Sequence, residues 1–146
     1  MLSSGRHTWI NVAIGSGYRG HPLNRDIQDR FYSLRDHMPL RRLTQAEYED
    51  GDVFATITHD DDTLVDITSF VDGAPIAIDP GAKGWYLEMV AGGGTGTGEK
   101  VLAEARTIAN MIQFPTWEPP AEDAEGPEDD DPCHQQPYGT NRLYTV

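Results

Sequence analysis

A segment near the amino terminus recurs at the carboxyl terminus, and this repeat constrains the fold more than any other feature. Residues Asp29–Leu34 read DRFYSL, and residues Asn141–Val146 read NRLYTV. The order in both is short polar, Arg, large apolar, Tyr, small hydroxyl and branched apolar. The pattern is typical of a strand that places Tyr32 on one face and Phe31 on the other. It predicts one structural unit used twice, with coincidence between two ordinary strands as the alternative.

The charge of the chain is unevenly distributed. The 146 residues include 11 Lys and Arg and 24 Asp and Glu, which gives a formal net charge of −13. Through Arg42 there are seven Arg and three acids, and the remainder holds four bases and 21 acids. Phosphate backbones and anionic lipids repel such a chain. We therefore expect no nucleic acid and no membrane surface as partner, and we expect the acids to lie in solvated loops.

Other features of the composition point to a chain rich in turns. No apolar run reaches the ~20 residues of a transmembrane helix. Met1–Gly5 lacks both a basic region and an apolar core, so no signal peptide is expected. Cys133 is the single cysteine and forms neither an internal disulfide nor a multi-cysteine metal site. With 15 Gly and 10 Pro, short strands and turns are favoured over long helices.

The residue pattern predicts short strands separated by polar connections. A short helix is expected at Thr44–Tyr48, inside a polar insertion that covers residues 37–63. Residues 116–138 read as an acidic, proline-rich loop, with eight acids and no base between Glu118 and Asp131. The predicted strands are Thr8–Ile14, Asp29–Leu34, Val53–Thr58, Leu64–Thr68, Gly84–Val90 and Asn141–Val146.

One stretch is ambiguous between helix and strand. Ala and Glu favour a helix from Glu99 to Ala109. The alternative is a pair of strands, Glu99–Ala105 and Thr107–Phe114, with a kink near Arg106. The second interpretation is favoured because the surrounding segments are strand-like.

Gly15–Gly20 matches the G-x-G-x-x-G pattern of dinucleotide-binding loops. That chemistry requires a helix to begin within the glycine loop, so that its N–H groups face the pyrophosphate. Pro22 removes a backbone donor at this point and keeps His21 out of the helical region. We therefore expect a structural turn here and no nicotinamide cofactor.

The acidic clusters invite a calcium interpretation that their spacing does not support. An EF-hand loop needs oxygens at alternate positions and a Gly at the sixth. Asp50–Asp52 is too short, Asp60–Asp66 lacks that Gly, and Asp131 is followed by Pro132. The five histidines show no paired spacing for a metal, and neither a nucleophile elbow nor a P-loop is present. They are His7, His21, His37, His59 and His134, the last beside Cys133. No catalytic or cofactor-binding residue is nominated, and a metal site is left undecided.

Two segments, Val12–Asn24 and Asp29–Asp36, closely resemble the PilC/PilY family of type IV pilus assembly and tip-adhesin proteins. The resemblance lies in the carboxyl-terminal β-propeller of that family and covers nearly the whole chain. Its most specific part is Gly17–Leu23, which reads GYRGHPL. Later landmarks follow the order of the family: Leu64–Thr68, Gly84–Leu87, Gly98–Leu102, Asp131–Cys133 and Gly139–Tyr144.

The resemblance implies an all-β fold of antiparallel sheets, a partial β-propeller of about two to three blades over residues 1–146, with long irregular insertions. It implies a non-enzymatic role in type IV pilus biogenesis and adhesion, at the pilus tip, cell surface or outer membrane. The implied partners are pilus components, surface ligands and the rest of a larger propeller. Residues expected to be structural are Trp9, Tyr32, Trp85 and Tyr144 in packing, and Gly15 and Gly17 in a turn.

The chain also departs from the family. Family members are longer, with a secretion signal and an upstream region, so a fragment is expected whose last strand, Thr140–Val146, is exposed and promotes association. Calcium is implied for the family, but its Asp- and Gly-rich loop has no counterpart here and no residue is assigned to it. The alternative function is a fragment of a quinone-dependent dehydrogenase, whose propeller uses similar strands but needs a polar cofactor funnel.

Overall fold

The computed structural model describes residues 2–4, 7–51, 63–72, 76–90, 97–121 and 138–146. These residues are mostly β, as predicted, and the predicted strand Val53–Thr58 lies outside them. The elements are β1 (Leu2–Ser4), β2 (His7–Gly15), β3 (Arg30–Asp36), α1 (Gln45–Asp50), β4 (Val65–Asp66), a 3-10 helix (Thr68–Asp72), β5 (Gly84–Glu88), β6 (Arg106–Ile108), β7 (Met111–Glu118) and β8 (Thr140–Thr145).

The strands form two sheets. One has the order β1-β2-β3-β5-β4, and the other has the order β6-β7-β8. The second sheet is antiparallel throughout, but β4 runs parallel to β5, so the prediction of antiparallel sheets is wrong at that pair. Within the described residues neither sheet closes, and no propeller blade is seen.

The chain divides into two compact units. Unit 1 comprises Met1–Val12 and Tyr32–Tyr86, and unit 2 comprises Ala13–Phe31 and Leu87–Val146. The division falls within β2, β3 and β5, so each unit contains part of these strands.

In unit 1, β2 alternates between a buried and an exposed face, as its sequence predicts. Trp9 is buried, while Ile10 and Val12 are exposed. The guanidinium of Arg35 lies 4.7 Å from the centre of the Trp9 ring, and its partial burial lowers the pKa of Arg35. Gly84 has φ 147°, and a Cβ there would overlap the Ser33 carbonyl oxygen, so this position requires glycine.

The predicted helix is confirmed as α1. Thr44 is its N-cap, and a reciprocal capping box joins the Thr44 hydroxyl to the Glu47 backbone and the Glu47 carboxylate to the Thr44 backbone. Gly51 ends the helix in the left-handed region, with φ 73°. No residue of α1 is buried, so its caps rather than its packing hold it.

The core of unit 2 is built around stacked aromatic rings. Phe31 and Phe114 are fully buried, with ring centroids 3.7 Å apart and planes 4° from parallel. Tyr144 pairs with Phe114 across the β7–β8 ladder and stacks on it at 5.2 Å. The prediction that Tyr144 serves in packing is therefore confirmed.

Residues 99–118 contain strands rather than a helix, but their bounds differ from the prediction. The turn lies at Ala109 and Asn110, whose φ angles of 51° and 66° reverse the chain between β6 and β7. Of the predicted strand Glu99–Ala105, only Lys100 is paired, through a bridge to Trp117. β7 continues to Glu118, into the range 116–138 that was predicted to be loop.

The two copies of the repeat both form strands, β3 and β8. Arg30 of the first copy pairs with Glu88 on β5 at 2.8 Å. The equivalent Arg142 pairs with Glu118 on β7 at 2.6 Å. The repeat therefore encodes a strand together with an ion pair to its neighbour.

Candidate binding groove

Pro115 interrupts the pairing of β7 and so opens a groove in unit 2. On the side of β7 away from β8, Gln113 pairs with Arg106 and Trp117 bridges Lys100. Pro115 lies between these two points and has no N–H to donate to a strand there. Residues 101–105 are in no strand and leave the ladder opposite this proline.

The space left by that departure is a groove of about 360 Å³. Its lining is largely apolar, because two prolines, a leucine, an alanine and a tryptophan contribute most of it. Pro22 brings the GYRGHPL segment to the groove, and Asn141 brings the start of β8. The lining residues are Pro22, Leu102, Ala103, Pro115, Thr116, Trp117 and Asn141.

Two glycines of the false dinucleotide pattern fix the wall of the groove. A Cβ at Gly15 would overlap the Val101 side chain, and a Cβ at Gly17 would lie 3.0 Å from the Val101 carbonyl oxygen. The Val101 N–H also donates to the Ser16 carbonyl at 3.1 Å. Neither position has a positive φ, so the backbone angle does not require glycine. Glycine is needed because a side chain would not fit in this close approach. The approach holds Leu102 and Ala103 beside the groove.

A buried carboxylate, Glu99, is hydrogen-bonded to Thr116 of the groove lining. The Glu99 side chain has no exposed surface, and its Oε1 accepts a short hydrogen bond from the Thr116 hydroxyl. The Tyr144 hydroxyl lies 3.2 and 3.3 Å from the two oxygens of Glu99, and Arg142 Nη1 lies 3.5 Å from Oε1. A buried carboxylate needs such partners, and the bond from Thr116 to Glu99 holds the Thr116 side chain in place.

Two cations fasten the neighbouring loops. Lys100 is buried, and its Nζ donates to the Gly98 carbonyl at 2.6 Å and, by a short hydrogen bond, to the Asn24 carbonyl. Burial lowers the pKa of Lys100, while nearby Asp29 opposes that shift. Arg25 Nη1 donates to the Pro119 and Pro120 carbonyls at 3.0 and 2.7 Å, at the end of β7. These contacts make the groove a pre-formed feature.

The chemistry of the lining is suited to binding. None of the lining side chains is a carboxylate, imidazole, thiol or amine, so none titrates near neutral pH. Glu99 is a titratable group close to the groove, but its side chain is fully buried and bonded. An apolar groove with a few convergent polar groups binds ligands through shape and apolar contact.

The predicted packing residues lie where expected. Trp9 and Trp85 are buried, and Tyr32 lies with its ring centre 6.3 Å from that of Tyr86.

No helix begins between Ser16 and Asp29, all of which the structure describes, so the phosphate-binding geometry of a dinucleotide site is missing from this loop.

Several of the residues considered above as metal ligands lie outside the described part of the chain. Asp60–Asp62, Asp129–Asp131 and the pair Cys133 and His134 lie outside the described residues, as does His59. In the ranges that are described, no group of three or more His, Cys, Asp or Glu side chains could hold a metal ion. Nor does any helix in those ranges have the length and hydropathy needed to cross a membrane.

The residue pattern does not predict the groove. It places Leu102 and Ala103 in a strand and Trp117 in a loop, and the family resemblance that includes Leu102 assigns it no role in a site. The available signal was Pro115, which lies inside a run that otherwise reads as a central strand and therefore marks a break in pairing.

Comparison of the chain with models of known protein families, with curated proteins and with solved structures found no match. The resemblance to the PilC/PilY family therefore stays a prediction.

Proposed function

We propose that this chain is a non-enzymatic binding module, part of a type IV pilus biogenesis and adhesion protein that acts at the pilus tip or cell surface. The observation that carries the binding role is the pre-formed groove, whose lining holds no titratable side chain. The assignment to the pilus rests on the resemblance of Val12–Asn24 and Asp29–Asp36 to the PilC/PilY family. Pro22, within the first of these segments, is one of the residues that line the groove.

On the same resemblance, we propose that this chain supplies about two to three blades of a β-propeller and that further blades complete it. Its support is that both copies of the repeat are strands and that each copy pairs its Arg with a Glu of a neighbouring strand. Calcium, implied for the family, is assigned to no residue.

The ligand that best suits the groove is an extended, largely apolar peptide segment of a pilus component. Trp117 contributes an aromatic surface to the lining, which suits aliphatic or proline side chains. Asn141 supplies an exposed polar side chain that orients a peptide backbone. A fragment of a quinone-dependent dehydrogenase is the alternative, and no contact among the described residues favours it.

The experiment is co-sedimentation of the purified chain with purified type IV pili, with flagellar filaments as the negative control. Ala103→Glu introduces a carboxylate into the groove, while Ala46→Glu makes the same change on exposed α1. We expect the unmodified chain and Ala46→Glu to sediment with pili and Ala103→Glu to remain in solution.

Equal binding to both filaments, or no binding, contradicts the pilus assignment. A parallel absorbance titration with a quinone cofactor tests the alternative function, and saturable binding there would favour the dehydrogenase.

A further inference from the structure

Among the described residues, one edge of β8 has no neighbouring strand. It is the outer strand in the order β6-β7-β8, and no described strand lies on its other side. Val146 and Ile112 exchange both backbone hydrogen bonds, at 2.7 and 2.9 Å, which fixes the phase of the ladder. By alternation, Tyr144 and Arg142 also face β7. The residues that direct their N–H and C=O groups outward are Asn141, Leu143 and Thr145.

The internal repeat shows what the same strand looks like when both edges are paired. β3, the equivalent of β8, lies between β2 and β5. Phe31 and Ser33 of β3 are almost completely buried, whereas the equivalent Leu143 is 67 % exposed and Thr145 is also exposed. The sequence unit is thus compatible with a second neighbouring strand, which β8 lacks among the described residues.

The edge of β8 away from β7 has few of the features that usually prevent strand addition. Exposed edges are commonly protected by proline, by lysine or by inward-pointing charged side chains. The outward-facing positions of β8 are uncharged, and Arg142 is bound to Glu118 and Glu99. Pairing with β7 along Thr140–Thr145 holds the strand extended before any partner arrives, which lowers the entropic cost of binding.

We propose that β8 binds β8 of a second copy of this chain as an antiparallel strand centred on Leu143. In this register Leu143 faces Leu143 of the second copy, and Asn141 faces Thr145. Each outward-facing pair exchanges two backbone hydrogen bonds, which gives about six bonds in all. The β6-β7-β8 sheets of the two copies become one continuous sheet with a twofold axis at its centre. Because each β8 edge is used by the other copy, the contact stops at a dimer.

The side chains fit this register. The two Leu143 side chains cover each other on the exposed face, and apolar cross-strand pairs of this type are favourable. On the other face, Arg142 lies opposite Tyr144 of the second copy, so like charges do not meet. The net charge of −13 on each copy opposes association, and added salt screens that repulsion. The dimer should therefore be tighter at high ionic strength.

The test combines analytical ultracentrifugation with amide hydrogen exchange at low and high protein concentration. The expected result is a dimer in which the amides of Asn141, Leu143 and Thr145 gain protection as concentration and salt rise. Arg142 and Tyr144 amides, which face β7, should be protected at every concentration.

Leu143→Pro removes an outward N–H without removing a hydrogen bond to β7, so it should give a folded monomer. Leu143→Lys should also give a monomer if the proline variant does not fold. Leu40→Lys, at a leucine that is 79 % exposed in another part of the chain, is the matched control and should still dimerise. A chain that stays monomeric under all conditions, a dimer that survives Leu143→Lys, or assembly beyond the dimer would overturn the proposal.

Discussion

Arg142 and Glu118 form an ion pair between β8 and β7, with Nη1 2.6 Å from Oε2. The equivalent arginine of the repeat, Arg30, pairs with Glu88 at 2.8 Å. The two pairs differ in their surroundings, because Arg142 also lies 3.5 Å from the fully buried carboxylate of Glu99. The repeat thus places one ion pair at a half-exposed site and the other against a buried charge.

That difference predicts unequal costs for the two arginines. Arg30→Met breaks a half-exposed pair and should lower the free energy of unfolding by at most about 1 kcal/mol. Arg142→Met leaves the buried Glu99 carboxylate without its cation and should cost clearly more. Urea unfolding of the two variants is the measurement. Equal costs would show that the Glu99 cluster does not depend on Arg142.

A second prediction concerns the close approach of Gly15 to Val101. Gly15→Ala forces a Cβ into the Val101 side chain, and such overpacking should cost about 1–3 kcal/mol. Gly20→Ala is the control, since a Cβ there meets only the Tyr18 ring, which is exposed and able to move. Chemical denaturation compares the two variants. If both are equally stable, the packing of Gly15 against Val101 is not as described.

A third prediction follows from the buried hydroxyl of Tyr144. Burial, with a further contribution from the Glu99 carboxylate, raises the pKa of Tyr144 well above its ordinary value. The folded state therefore keeps this proton at pH values where the unfolded chain has lost it. The free energy of unfolding should fall as pH rises above about 10, the ordinary pKa of tyrosine.

Tyr144→Phe isolates this effect, because the comparison cancels the titration of the lysines. The variant should be less stable at neutral pH, where it lacks the hydrogen bonds to Glu99, and the difference should shrink at alkaline pH. Tyr48→Phe, at an exposed tyrosine on α1, is the matched control for removal of a phenol hydroxyl. A difference between wild type and Tyr144→Phe that does not change with pH would contradict the burial of this hydroxyl.

Local residue patterns were sufficient to predict most elements of the fold. Alternation after Trp9 predicted β2, and the short helix expected at Thr44–Tyr48 corresponds to α1, because both predictions depend only on neighbouring residues. The repeat predicted β3 and β8 as strands with the same residue order. Pairing between distant strands carries no such local signal, which is why the parallel β4–β5 pair was not predicted.

The sequence did not predict the groove either, because the groove also depends on contacts between distant parts of the chain. It exists because residues 101–105 leave the ladder opposite Pro115, and because Gly15 and Gly17 approach Val101 from another part of the chain. Glu99 was predicted only as the first residue of a strand, and its burial depends on Thr116, Tyr144 and Arg142 meeting around it. Only the tertiary structure brings these residues together.

Site-directed crosslinking from the groove is the most direct test of the proposed function. Cys133→Ser removes the native thiol, and Ala103→Cys in that background places a benzophenone maleimide in the groove. Ala46→Cys on exposed α1 provides the matched control. After irradiation with purified type IV pili, we expect a crosslink to a pilus subunit from position 103 and none from position 46. No crosslink from position 103, or equal crosslinking from both, would contradict binding of the pilus through the groove.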